Sequence, residues 1–158
     1  MIDELERLVG GAVTEVFGTM LNFQVSSEPP GCVKNGETHV AGSVGFVGTL
    51  NGIVYVYSGA SFARRLTGSL LGLKENEIIG EEMVDDAIGE LTNMIVGHVK
   101  SRLSDKGHRC NLTIPSTIRG EHLSVGRVSA TERRVLFYSC DGSQLVVELI
   151  MKPVKSAV

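Results

Sequence analysis

A chain of 158 residues, 42% hydrophobic and 21% charged, is long enough to bury one full core and too short for two ordinary domains. The formal net charge is −3 and the 15 Lys and Arg residues are scattered, which excludes the basic stripe of a nucleic-acid or anionic-membrane surface. The acidic start MIDELERLVGG lacks the basic region and apolar core of a signal peptide, and no apolar run approaches membrane-spanning length. The expectation is a cytoplasmic protein forming a single domain over residues 1–158, with neither nucleic acid nor membrane among its partners. Cys32, Cys110 and Cys140 are odd in number and widely spaced, which fits reduced thiols better than a disulfide framework or a zinc site.

In chain order, apolar residues from Ile2 through Leu5, Val9, Val13 and Phe17 recur at three- and four-residue steps and predict an amphipathic helix over residues 2–21, despite Gly10 and Gly11. The stretch Ser26-Ser27-Glu28-Pro29-Pro30-Gly31 is expected to be a loop, because its prolines exclude helix. Two β-type runs follow, 39–47 and 53–57, joined through Asn51-Gly52, a dipeptide whose tolerance of positive φ suits a tight hairpin. Residues 60–71 predict a short helix with Phe62, Leu66, Leu70 and Leu71 inward, stopped by Gly72, and a longer helix is expected over 77–103. Strand patterns return at 110–114, near 122–128, at 134–138 and at 144–151, the last two meeting around an Asp141-Gly142 turn. Three helices and about six strands without strict βαβ alternation indicate an α+β, two-layer domain: a mostly antiparallel sheet with two long helices and one short one packed on one face.

Several features carry no chemistry by themselves. His39, His98, His108 and His122 show no metal-binding spacing, so no metal and no bound cofactor is expected in this chain. His98 falls toward the core side of its helix and reads as a satisfied boundary histidine. The spacing Gly42, Gly45, Gly48 is not a phosphate-binding fingerprint, and Arg64-Arg65 and Glu132-Arg133-Arg134 read as solvated surface.

The long helix is different. Over residues 83–103, at about 100° per residue, Val84, Ile88, Leu91, Ile95 and Val99 share one side, which must be core. Asp86, Glu90, Asn93 and Gly97 gather within roughly 60° of one another on nearly the opposite side. Solvated helix faces favour good helix formers, whereas an acidic and amide stripe flanked by Gly89 and Gly97 is destabilising by about 1 kcal/mol per glycine. The pattern suggests a face cleared for the close approach of another surface. On it Glu90 and Asn93, one turn apart, offer an anion beside a neutral donor and acceptor.

The segment Asp86-Ala87-Ile88-Gly89-Glu90-Leu91-Thr92-Asn93, followed by Pro115 after 21 intervening residues, resembles the signature of the CheC, CheX and FliY phosphatases: Asp or Ser, three residues, Glu, two residues, Asn, then a distant Pro. All four marked positions match. The text GELTNMIVG, the run Leu112-Thr113-Ile114-Pro115-Ser116-Thr117, the opening helix and the hairpin ending Val54-Tyr55-Val56-Tyr57-Ser58 extend the likeness over most of the chain, to CheX in particular. A second copy of the signature is not evident, since Glu15 is followed three residues later by Gly18, so one active face is expected.

The resemblance implies an enzyme that hydrolyses the aspartyl phosphate of a CheY-like response-regulator receiver, a homodimer, and Mg²⁺ held in the receiver and not in this chain. It also implies roles. Asn93 would orient a water in line with phosphorus by placement, as a glutamine does in GTPases. Glu90 would anchor the receiver's lysine, Asp86 and Gly97 would support the contact, and Pro115 would shape the strand or turn packed against the helix. The rival expectation is a non-catalytic docking module of the same fold that binds a response regulator or a flagellar switch component.

Overall fold

The computed structural model describes residues 1–33, 36–121, 123 and 131–152. Helix α1 runs over Ile2–Met20 and buries Leu5, Val9, Val13 and Phe17, the three- and four-residue rhythm of the sequence. After it come strands β1 (Ser26–Glu28), β2 (His39–Gly48) and β3 (Gly52–Gly59), helix α2 (Ala60–Leu71), a single 3₁₀ turn at Glu75–Glu77, and helix α3 (Gly80–Asp105). Strands β4 (Cys110–Leu112), β5 (Ser116–Gly120), β6 (Glu132–Cys140) and β7 (Ser143–Met151) complete the described elements. They form one seven-stranded antiparallel sheet in the order β1-β6-β7-β3-β2, with β4 and β5 sharing the outer edge of β2. An α+β fold of two layers results.

Alternation along the strands assigns the two sheet faces. Val40, Val44 and Phe46 of β2, Val54 and Val56 of β3, and Leu145, Val147 and Leu149 of β7 meet Leu5 and Phe17 of α1, Leu66 of α2 and Ile88, Leu91 and Ile95 of α3 in one core. Ala41, Tyr57 and Val146 form a smaller cluster on the other face, with Tyr55, Val135 and Phe137 packed against it.

Three sequence expectations need correction. The proline-containing loop holds a strand, β1, which pairs Ser26, Ser27 and Glu28 with Ser139, Tyr138 and Phe137 of β6; its three residues are all exposed, so no burial rhythm announces it, and Pro29-Pro30 ends it. The β2–β3 connection is not a positive-φ turn at Asn51-Gly52, neither of which adopts that conformation. Asn51 instead accepts the Gly48 N–H on Oδ1 at 3.2 Å, and Gly52 is small for packing: a Cβ there would lie 2.4 Å from Phe46 Cζ and 2.6 Å from the Ile150 carbonyl oxygen. The strand expected at 110–114 ends at Leu112, and a separate strand, β5, follows Pro115. The segment expected at 122–128 lies outside the described residues apart from Leu123. The Asp141-Gly142 turn does take positive φ at both positions, 50° and 79°, as a tight hairpin requires.

Helix α3 lies unusually close to β2. A Cβ on Gly42 would come within 2.2 Å of Thr92 Oγ1 and 2.9 Å of the Ile88 carbonyl oxygen, so only a glycine admits the helix backbone at this distance. Thr92, fully buried, donates its hydroxyl to that same Ile88 carbonyl at 2.8 Å and leaves no polar atom unsatisfied. Gly42→Ala should therefore destabilise the protein by about 1–3 kcal/mol through overpacking, outweighing the smaller gain from replacing a strand glycine. Urea denaturation checks this: a midpoint at or above the parent's would contradict the close seating.

On the face away from the helices, Glu148 is buried and accepts a hydrogen bond from the Tyr57 hydroxyl at 3.1 Å on one oxygen while the Arg133 guanidinium pairs with the other. Burial, and next the charge of Glu148, hold the Tyr57 phenol well above its ordinary range, and burial raises Tyr138 as well. A phenol whose pKa is raised on folding contributes stability fully present below about pH 10, the unfolded value, and progressively lost as pH climbs above it, because the unfolded chain releases protons first. Denaturation midpoints should stay level up to that pH and then fall, and Tyr57→Phe should flatten part of the alkaline decline.

Candidate functional site

Helix α3 spans 26 residues, roughly 39 Å at 1.5 Å per residue. Its buried side carries Val84, Ile88, Leu91, Ile95 and Val99, and that burial fixes the opposite side toward solvent. Asp86 and Glu90 are exposed and Asn93 and Gly97 half-buried, all four on that outward face. Glu90 and Asn93 stand one turn apart, with Cβ atoms about 5–6 Å from each other. No hydrogen bond or ion pair to other described residues engages the side chains of Asp86, Glu90 or Asn93.

The two flanking glycines turn out to do different things. Gly89 is buried, and a Cβ there would lie 3.2 Å from Thr117 Oγ1 and 3.6 Å from Pro115 Cβ. The surface it admits is the chain's own β4–β5 edge, not a partner, which corrects the expectation for this residue. Gly97 does face open space, with nothing within 4 Å of a Cβ placed on it.

Pro115 sits in an irregular step between β4 and β5. Phe46 pairs with Leu112, the Thr113 N–H donates to the Gly45 carbonyl at 2.9 Å, and Ser43 pairs with Ser116. Two residues, Ile114 and Pro115, therefore oppose the single residue Val44, the two-against-one count of a β-bulge. Proline lacks the N–H that a regular ladder would demand and fits the unpaired position.

Sequence reasoning missed the residues that lock this edge onto α3. Thr117 donates its hydroxyl to the Asp85 carbonyl at 3.0 Å. Arg119 donates to Asp85 Oδ1 through Nε at 3.1 Å and through its terminal nitrogen at 2.6 Å, and its Nε lies 3.6 Å from a Glu81 carboxylate oxygen. The signal was available: Thr117 and Arg119 share one strand face by the period of two, and Glu81 and Asp85 share one helix face by the step of four.

His98 takes a boundary position and pairs through Nε2 with Glu15 of α1 at 2.9 Å, so Glu15 joins helix to helix. Arg64 and Arg65 are not simply solvated, contrary to expectation. Arg64 donates to the carbonyls of Glu75 and Ile78 at 3.1 and 2.7 Å, fastening the 3₁₀ turn, and Arg65 pairs with Asp141 and lies over the rings of Phe23 and Phe62. Arg133 is tied to Glu148, and Arg134 to Asp3 and Glu6.

No three His, Cys, Asp or Glu side chains converge among the described residues as a metal site would require, and no helix of the described residues is long and apolar enough to cross a membrane. A concavity lined by Glu37, His39, Ser61, Phe62 and Gln144 includes no residue of α3. The acid and amide stand on an open helix surface, the geometry of a site completed by a partner's surface instead of a substrate pocket. Gly97→Ala should raise thermal stability, by about 1 kcal/mol on helix propensity, since the added methyl meets nothing. A partner that approaches this face closely should at the same time bind the variant more weakly, and a titration alongside the melting curve checks both signs.

A sheet covered on one face by three helices is the fold shared with solved CheX and CheC-like chemotaxis proteins. The family model described as chemotaxis phosphatase CheX matches residues 40–139, and the chain belongs to that family. It is 25% identical over 118 residues, 73% of this chain and 75% of the relative, to the CheY-P phosphatase CheX of Thermotoga maritima. Among solved structures it resembles the chemotaxis protein CheX of Desulfovibrio desulfuricans, with a TM-score of 0.79 and 26% identity over 94% of this chain and 99% of the other. The fold is shared as well with CheX of Borrelia burgdorferi in its CheX–CheY–BeF3–Mg²⁺ complex, with a TM-score of 0.75 and 21% identity over 93% of this chain and 97% of that one.

Proposed function

We propose that this protein hydrolyses the aspartyl phosphate of a CheY-like receiver domain, with Asn93 and Glu90 as the residues that act. The observation that carries this reading is the outward placement of exposed Glu90 and half-buried Asn93, side by side and unengaged by other described residues, on a helix whose other side is committed to the core. Membership of the CheX family supports it, as do the phosphatase named among its relatives and the CheY partner of the Borrelia protein.

In the reaction, water adds to phosphorus, the bond from phosphorus to the acyl oxygen breaks, and the receiver's carboxylate and inorganic phosphate leave. Mg²⁺ belongs to the receiver in this reading and supplies charge neutralisation at the phosphoryl group. Asn93 accepts a hydrogen bond from the attacking water on its side-chain oxygen and donates one from its nitrogen, so it fixes the water's position without acting as a base. Glu90 forms a charge-assisted hydrogen bond to a cationic side chain of the receiver and sets the helix in register. Asp86, one turn earlier, supports that contact at the rim, and the open position at Gly97 lets the receiver's surface come close. A homodimer belongs to the same proposal; edge strands such as β1, which among the described residues pairs on one side only, offer a physical route to it.

Release of inorganic phosphate from a phosphorylated CheY-type receiver with Mg²⁺ present tests the assignment. Asn93→Ala should lower turnover by roughly two or more orders of magnitude, the scale for lost positioning, while complex formation stays largely intact. Glu90→Ala should weaken binding and turnover together. Turnover by Asn93→Ala near the parent's rate would refute the role of the amide, and binding without acceleration by the parent would favour the docking module.

A further inference from the structure

We propose that Ile114 is an apolar anchor for the receiver, a specificity-determining residue on the docking surface that Glu90 and Asn93 occupy; the inference rests on the phosphatase reading above. Ile114 is 87% exposed, more than any other large hydrophobic residue described. A single exposed aliphatic side chain needs no explanation on a floppy loop, but this one is held firmly from both sides. Before it, Thr113 makes two bonds to Gly45: its N–H donates to the carbonyl at 2.9 Å, and its hydroxyl accepts the Gly45 N–H at 2.8 Å. After it, Pro115 packs beside Gly89 of α3, and Thr117 and Arg119 bind Asp85.

The bulge also decides which way Ile114 is presented. Thr113 and Ser116 stand opposite Gly45 and Ser43, whose neighbours Ala41 and Tyr57 define the sheet face away from the helices. Ile114 and Pro115 both oppose Val44, a core residue on the helix side. An unbroken strand would alternate; the two-against-one step keeps Ile114 with Pro115 on the side of α3. Pro115 abuts Gly89, and Gly89 lies three residues after Asp86, four before Asn93 and next to Glu90. The bulge thus sets Ile114 along the flank of the acidic and amide stripe.

A rigid aliphatic side chain at the border of a polar reaction site suits an apolar depression on the partner's surface near the phosphorylated aspartate. Binding it costs little ordering entropy, because the backbone on both sides is already fixed, and its burial excludes water from the neighbouring polar contacts. Receivers that lack an apolar patch at this place would be discriminated against although their phosphate chemistry is the same.

The test is calorimetric titration of a CheY-type receiver activated with BeF3 and Mg²⁺ into the full-length parent, Ile114→Ala, Ile114→Leu and Asn93→Ala, with melting curves and sedimentation of each. Ile114→Ala should melt like the parent and bind about tenfold or more weakly, the scale expected for removing most of a buried aliphatic side chain, while Ile114→Leu restores affinity and Asn93→Ala keeps it. In turnover assays the alanine variant should raise KM with kcat unchanged. Affinity of Ile114→Ala equal to the parent's would overturn the anchor and leave the phosphatase reading standing. A change in sedimentation with affinity retained would overturn it too, assigning Ile114 to self-association, and no binding of the receiver by the parent would overturn the underlying function as well.

Discussion

The close seating of α3 on the sheet is the constraint on which the rest of this protein depends. At Gly42 the helix backbone meets strand backbone with only the Thr92 hydroxyl between them, and at Gly89 the helix meets the β4–β5 edge through Pro115 and Thr117. Neither contact tolerates an added methyl group without movement of a backbone atom or a neighbouring side chain. Hydrophobic burial of Ile88, Leu91 and Ile95 drives the helix onto the sheet, yet burial is non-directional and would allow sliding or rotation. The glycine notches, with the Arg119–Asp85 pair and the Thr117–Asp85 bond, choose one rotation and one height. They determine where Glu90 and Asn93 point.

This arrangement explains why the motif includes a proline so far from the acid and the amide in sequence. Pro115 belongs to a bulge that breaks one edge strand into β4 and β5, and the break lets the edge bend up against Gly89. The β2 register has consequences at both ends of this edge: residues 46–48 hold β4, residues 39–43 hold β5, and Val44 alone faces the bulge. Local backbone irregularity and the functional face are parts of one structure.

Much of this was legible in the amino-acid sequence, and the parts that were not share a cause. The three helices were readable because each has a periodic apolar side: Leu5, Val9 and Phe17, then Phe62 and Leu66, then Ile88, Leu91 and Ile95. The β2–β3 and β6–β7 hairpins were readable from strand residues and turn chemistry, although Asn51-Gly52 suggested the wrong turn because Gly52 is required for packing against Phe46 and not for its φ. Strand β1 was invisible because its three residues are all exposed and its existence depends on the edge of β6, a partner more than a hundred residues away. Gly89 was misread for the same reason: the stripe on α3 can be drawn from the sequence, but what lies against its flank is a long-range fact. The four aligned positions Asp86, Glu90, Asn93 and Gly97 needed only helix geometry, and the structure puts them on one outward face.

In the proposed reading, the outward face of α3 divides the work between two proteins. The concavities beside Glu37 and His39, beside Arg64 and Arg65, and beside Phe46 and Val47 are lined by neither Glu90 nor Asn93. An aspartyl phosphate already brings its own leaving group and electrostatic environment, so what this chain can add is geometry: a water held in line and a helix held in register. Geometry of that kind is lost when the side chain's mounting shifts by even about 1 Å, well before any contact to substrate is removed. In the reading proposed above, the rigidity invested in Gly42, Thr92, Pro115 and Arg119 is as much a condition of turnover as the amide itself. A short surface signature of an acid and an amide is common in helices; it becomes a site only where the sheet, the bulge and the glycine notches prevent the helix from moving.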